Sequence, residues 1–204
     1  MADTTAQESL KHAKTEQPVH DLIQSRWSPR SFTDQTITDQ DLKTLFTAAS
    51  WAASSNNEQP WRFLVGRKGD GTHKKIFDSL VEFNQMWAQS APVLFASFAK
   101  KTFTRGGAPN GYGLHDTGAA SATLALQATA LGMHVHGMGG FDKDTLRAFF
   151  GVPSDFEVGA VWALGYLGSP EAAPEKYREG ETTPRSRNPL ESFLFTDWDT
   201  PAKL

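Results

Sequence analysis

Arg26-Trp27-Ser28-Pro29-Arg30, Ser54-Ser55-Asn56-Asn57-Glu58-Gln59-Pro60-Trp61 and Arg185-Ser186-Arg187 decide how this chain is read. In the first and last segments arginines bracket a serine. Guanidinium groups are fixed charges with forked donors, suited to a phosphate. The middle segment is rich in amides and hydroxyls, which favour turns and can read the donor and acceptor edge of a polar ring. Singly, each is an ordinary solvated loop. The information lies in their combination and order.

The chain has 204 residues, 39% of them hydrophobic, enough to bury a sizeable core and more in keeping with one domain than two. We expect a flexible N-terminal tail over residues 1–17 and a single domain over 18–204. A net charge of -3 argues against a nucleic-acid footprint, which needs a basic face. Zero cysteines exclude disulfides, thiolate catalysis and zinc-thiolate sites. No apolar h-region follows the polar start, and no apolar run reaches the length of a membrane span. A cytoplasmic protein is the expectation.

Helical and strand-like patterns alternate. Thr38 and Asp41 form a capping-box pattern ahead of Leu42, Leu45, Phe46 and Ala49, so a helix should run into Trp51. Trp61 to Val65 reads as a strand, Ile76, Leu80 and Phe83 as a second amphipathic helix, and Pro92 to Ala99 as a strand covered on both faces. Leu114 to Leu131, dense in Gly, Ala and Ser, reads as a buried central helix that Gly132 should end with a left-handed cap. His134 to Met138 and Glu157 to Leu167 read as strands, with a helix capped by Asp142 between them. Strands interleaved with helices imply an α/β or α+β arrangement. The proline-rich stretch from Gly168 to Leu204 is too irregular for a core of its own.

The ordered segments resemble the nitroreductase-like family of FMN-dependent oxidoreductases. That family opens with Arg-x-Ser-x-Arg and continues about one helix later with a Ser-Ser-x-Asn-x-Gln-Pro-Trp type turn. It then shows a Gly-Phe-Asp step and closes with a basic-Ser-Arg segment. Here these are Arg26 to Arg30, Ser54 to Trp61, Gly140-Phe141-Asp142 and Arg185 to Arg187, and the likeness spans about residues 18 to 195. Ala53 stands where the family usually has Pro, which makes the turn less rigid. The resemblance implies an α+β fold with a central mixed, mainly antiparallel sheet flanked by helices. It also implies an intertwined homodimer, with a C-terminal extension from about residue 169 crossing to the partner. Docking of that extension on its own subunit is the alternative.

For the cofactor, the resemblance assigns Arg26, Arg185 and Arg187, with the Ser28 hydroxyl, to the FMN phosphate. Arg30 is assigned to the ribityl and pyrimidine side, the alternative being a surface salt bridge to Asp34 or Asp39. Ser54, Ser55 and Asn57 would reach the flavin from the other subunit; otherwise they are a capped loop before a strand. Asn84 would offer an amide to the pyrimidine, and the backbone of Met138, Gly139 and Gly140 would approach flavin N5 and O4, where glycine keeps the chain close. No side chain is required as a catalytic acid. The implied activity passes hydride from NADH or NADPH to a nitroaromatic, quinone or similar acceptor by a ping-pong mechanism. A narrower flavin-dependent dehydrogenase, a flavin-degrading enzyme and a flavin-storage protein remain alternatives. Gly137-Met138-Gly139-Gly140 lacks the spacing of a dinucleotide fingerprint. His134 and His136 share a strand face without an evident third metal ligand, so no metal is expected, and no motif fixes a nucleophile for a hydrolase triad.

Overall fold

The computed structural model describes residues 4–203. Helices α1 (Thr5–Lys11), α2 (Asp21–Ser25) and α3 (Asp39–Ser50) precede strand β1 (Trp61–Arg67). Helices α4 (Gly71–Asp78) and α5 (Glu82–Ala88) lead to β2 (Val93–Lys100). Then come α6 (Gly113–Ala130), β3 (His134–Met138), α7 (Lys143–Phe150), β4 (Phe156–Gly165) and α8 (Glu175–Thr182), and finally a small hairpin of β5 (Phe195–Asp197) and β6 (Thr200–Pro201). The main sheet runs β1-β2-β4-β3, and each of its pairings is antiparallel. This is the helix-flanked α+β layer expected from the sequence.

Strand β2 is buried from Val93 through Ala99. Its alternate side chains feed two cores. Leu94, Ala96 and Phe98 join Ile76, Leu80 and Trp87 on one face, while Val93 and Phe95 join Leu45, Leu124 and Ala128 on the other. The capping box of α3 is present, with Asp41 N–H donating to Thr38 Oγ1 at 3.0 Å and Thr38 N–H donating to Asp41 Oδ2 at 3.3 Å. Gly132 has φ +71°, the left-handed conformation expected of it after α6.

The structure departs from the sequence pattern in three places. Ile76, Leu80 and Phe83 do not share one helix. Leu80 pairs with Phe141, Val81 N–H donates to Gly140 O at 3.1 Å and Asp142 N–H to Ser79 O at 2.7 Å, so cross-chain pairing ends α4 before α5 begins. Helix α6 is buried on one side only; Leu114, Gly118 and Ala122, at helical spacing, are exposed. The stretch expected as a flexible tail contains α1, whose Gln7 and Lys11 are buried. Lys11 Nζ donates to the carbonyls of Gly180 and Thr183 at 2.5 Å each and lies 5.0 Å from the Trp27 ring centre. Gln7 Nε2 donates to Glu181 Oε2 at 3.3 Å. What anchors α1 is polar side chains turned inward, which a search for apolar periodicity passes over. Beyond α8, Leu190, Phe193 and Trp198 are exposed, Trp198 at 85%.

Candidate functional site

The segment from Arg26 to Phe32 leaves α2 and lies beside the sheet. His136 Nδ1 on β3 donates to Pro29 O at 2.8 Å, the Trp27 and His134 rings meet edge to face at 5.7 Å, and Phe32 pairs with Leu167 beyond β4. These contacts anchor the Arg26–Phe32 segment against the sheet. Arg26 Nη1 donates to Ser28 Oγ at 3.3 Å. Arg185 Nε donates to Lys11 O at 2.5 Å, its Nη1 to Arg26 O at 2.6 Å and its Nη2 to Gln24 O. Arg187 is exposed and donates to Ser186 O at 2.7 Å.

Arg26, Arg185 and Arg187 therefore gather from opposite ends of the chain. Burial first, and then the charge of Arg187, pull the Arg26 guanidinium below its ordinary value. Arg185 is lowered in the same way, by burial and then by Arg26 and Arg187. Among the described residues no carboxylate forms an ion pair with any of the three. Like charges collected without a counter-charge make a position that an oxyanion would complete. The three do not play equal parts. Arg185 has three of its five N–H groups committed to backbone carbonyls, so it splices the C-terminal segment to the end of α2 and leaves Arg26 and Arg187 as the freer cations.

Arg30 makes neither of the salt bridges considered for it: Asp39 pairs with Arg67 at 2.5 Å. Its backbone N–H donates to the buried Glu181 at 2.9 Å, and its guanidinium carbon lies 5.2 Å from the Tyr177 ring centre and 6.0 Å from that of Trp87. Its Nε is buried with no hydrogen-bond partner among the described residues. The side chain lines a cavity of about 430 Å³ with Lys68, Met86, Trp87 and Arg178. Burial pushes the Glu181 carboxyl up, against the pull of Arg30 N–H and Lys11. The Trp87 and His136 rings meet at 4.4 Å, tilted by 34°. Burial pushes both His136 and His134 down to about 4, helped by nearby arginines, so both are neutral near pH 7. Among the described residues no group of three or more His, Asp or Glu could hold a metal.

Asn84 and the glycine segment come together. Asn84 is buried, and its Nδ2 donates to Gly140 O at 2.9 Å. A Cβ on Gly140 would sit 2.8 Å from Asn84 Nδ2 and 3.0 Å from Val81 Cγ2, so packing within the protein already demands glycine there. Gly139 is different: a Cβ there would meet nothing within 4 Å. Met138 is buried in the core and can offer only its backbone.

The Ser54–Trp61 turn has an unusual backbone. Asn56, Asn57 and Gln59 have φ of +53°, +54° and +50°, conformations that cost of order 1–3 kcal/mol each and cluster at ligand clamps, the cost being least for Asn. Ser54 Oγ accepts from Gln59 N–H at 3.1 Å, and Ser55 N–H donates to Asp116 Oδ2 at 2.9 Å. No hydrogen bond or ion pair among the described residues links this turn to Arg26, Arg30, Asn84 or Arg187. Asp116, Trp87, Tyr177 and Glu181, which organise these parts, belong to none of the sequence motifs. A buried acid at a helix start and aromatics between apolar residues give no local pattern to find them by.

The sequence profile of the Nitroreductase family matches residues 23–86 and 70–166. A relative from Archaeoglobus fulgidus, with the provisional name NADH dehydrogenase/NAD(P)H nitroreductase, is 30% identical over 149 residues, covering 71% of this chain and 83% of its own. The major NAD(P)H-flavin oxidoreductase of Aliivibrio fischeri is 34% identical over 92 residues, 43% of this chain and 41% of its own. A crystal structure described as an oxidoreductase containing FMN is 36% identical and covers 91% of this chain and 95% of its own, with a TM-score of 0.86. The profile match takes in more than half of the chain, and its sheet, helices and ordered segments agree with it: the chain belongs to the Nitroreductase family.

Proposed function

We propose that this protein is a homodimeric FMN-dependent oxidoreductase, taking electrons from NADH or NADPH and passing them to nitroaromatic, quinone or similar electron-poor acceptors. One observation carries the cofactor assignment: Arg26, Arg185 and Arg187 converge without a counter-charge beside the Ser28 hydroxyl. The FMN complexes and the NAD(P)H-dependent names among the relatives support it.

The residues present fit the group. Arg26, Arg187 and Ser28 would hold the phosphate while Arg185 fixes their spacing. Arg30, with an unpartnered buried Nε and a cavity beside it, would serve the pyrimidine side. Asn84 is held against Gly140, and the open face at Gly139 leaves room for a planar ring at the backbone. Bound FMN supplies hydride transfer at N5. The protein orients, excludes water and sets polarity, and a cation at Arg30 favours a reduced, anionic ring. His136, neutral and hydrogen-bonded to Pro29 O, steadies the segment that bears Arg30 and moves no proton.

Two groups of observations support a site shared between subunits. Among the described residues no hydrogen bond or ion pair joins the Ser54–Asn57 turn to the arginines it should serve with. The apolar surface left open, Trp51, Leu114, Gly118 and Ala122 on the body and Leu190, Phe193 and Trp198 in the extension, is the kind a second copy covers. The expected result on purification is yellow protein that releases FMN on denaturation. Folded, colourless protein that does not take up added FMN would refute the reading. Oxidation of NAD(P)H in the presence of a quinone then separates an enzyme from a flavin store.

A further inference from the structure

The Ser54–Trp61 turn does not keep its shape unaided. Between Ser54 and Pro60 there is no glycine, yet Asn56, Asn57 and Gln59 all have positive φ, and such a run persists only where the surroundings over-determine it. Two carboxylates do so, one on a distant helix and one within the turn. Asp116, 4% exposed in the first turn of α6, accepts Ser55 N–H at Oδ2 (2.9 Å) and has His115 Nδ1 at 3.1 Å from Oδ1. The helix N-terminus favours this buried negative charge. Glu58, within the turn, accepts at Oε1 from Thr104 N–H (2.7 Å) and Thr104 Oγ1 (2.5 Å), and Lys100 Nζ donates to the same hydroxyl at 3.0 Å. Those bonds hold the Glu58 carboxyl below its usual range. Thr104 sits in a small hairpin closed by the Thr102–Pro109 bridge and by Phe103 N–H donating to Ala108 O at 2.8 Å. The turn is thus gripped at Ser55 from the core and at Glu58 from the hairpin.

We propose that Asp116 and Glu58 are positioning residues of the flavin site, holding the Ser54–Asn57 turn in the shape that reads the ring without touching it. This rests on the FMN reading above. With Asp116 gone, Ser55 N–H loses its acceptor and the left-handed run relaxes towards ordinary loop conformations. Ser54 and Asn57 then point elsewhere. The turn addresses the ring, so the loss should be blind to the phosphate, unlike a loss at the arginines.

The test is a titration of flavin-stripped, full-length protein with FMN and with riboflavin, alongside thermal unfolding. Asp116→Ala is expected to weaken both flavins equally, by about tenfold or more, and Glu58→Ala by roughly threefold. Asp116→Asn keeps an oxygen for Ser55 N–H and should recover most of the affinity. A shift in the visible spectrum of the bound flavin should accompany the alanine variants. Both alanine variants binding either flavin within about twofold of wild type, whatever their unfolding temperature, would overturn the proposal. So would a loss confined to FMN. If Asp116→Ala does not fold, Glu58→Ala on its exposed loop decides it by the same ratio. Wild-type protein that takes up neither flavin overturns the FMN reading itself and the proposal with it.

Discussion

Replacing Arg26 and Arg187 together by alanine separates a phosphate site from a structural cluster, because the two hypotheses give stability changes of opposite sign. Each guanidinium contact to a phosphate contributes about 1.5–3 kcal/mol. Losing two should cost about 3 kcal/mol or more, roughly a hundredfold in the Kd for FMN. Riboflavin has no phosphate, and its affinity should stay within about twofold. In the ligand-free protein the balance reverses. Arg187 depresses Arg26, and no carboxylate among the described residues neutralises either. Arg187 is exposed, and among the described residues its side chain bonds only to the neighbouring Ser186 carbonyl. Arg187→Ala alone should therefore leave the unfolding temperature of the apoprotein unchanged or slightly higher. Flavin fluorescence titration and scanning calorimetry read the two quantities. Equal losses for FMN and riboflavin, or an apoprotein destabilised by Arg187→Ala, would refute the reasoning.

Arg185→Ala removes three hydrogen bonds to backbone carbonyls, about 1 kcal/mol each, and should lower the unfolding temperature by about 6–12 °C; an unchanged temperature would deny its role as a splice. His134 and His136 take up a proton near pH 6.5 in the unfolded chain and only at about 4 when folded. Stability should therefore fall as pH drops through that window, by up to about 3 kcal/mol per group, and level off below it; denaturant titration of a His136→Phe variant should show a shallower fall. A chain carrying Arg26→Ala and Arg30→Ala, mixed with one carrying Ser54→Ala and Asn57→Ala, should regain one good FMN site per heterodimer, and a monomeric holoprotein would rule this out. Initial rates with NAD(P)H and a quinone should give parallel double-reciprocal lines, and intersecting lines would mean a second substrate site.

Much of the fold was legible because its signals are local. The Thr38–Asp41 box, the apolar run of β2 and the glycine after α6 each act within a few residues, and each appears where the sequence places it. The break between α4 and α5 was not legible, since it is made by Phe141, far along the chain. The candidate site divides the same way. Its arginines, amides and glycines lie in recognisable segments, and Asn84 does meet Gly140. Asp116 and Glu181 gave no sign because a buried acid matters through the backbone N–H it accepts, and the sequence does not say which N–H that will be. Arg185 shows that a motif can name the right residue while its task is set by three carbonyls outside the motif.

Those three carbonyls also bear on when the protein becomes competent during synthesis. Arg185 bonds to residues 159 to 174 positions earlier, and Lys11 reaches Gly180 across 169. Contacts of such separation carry the largest loop-closure cost and cannot form until both ends of the chain are available. The sheet and both cores are complete by Gly165, apart from Tyr177, and can collapse around β2 while the ribosome is still reading the final segment. The arginine cluster cannot assemble until residue 187 has emerged. A nascent chain therefore has most of its hydrophobic stability before the arginine cluster can form.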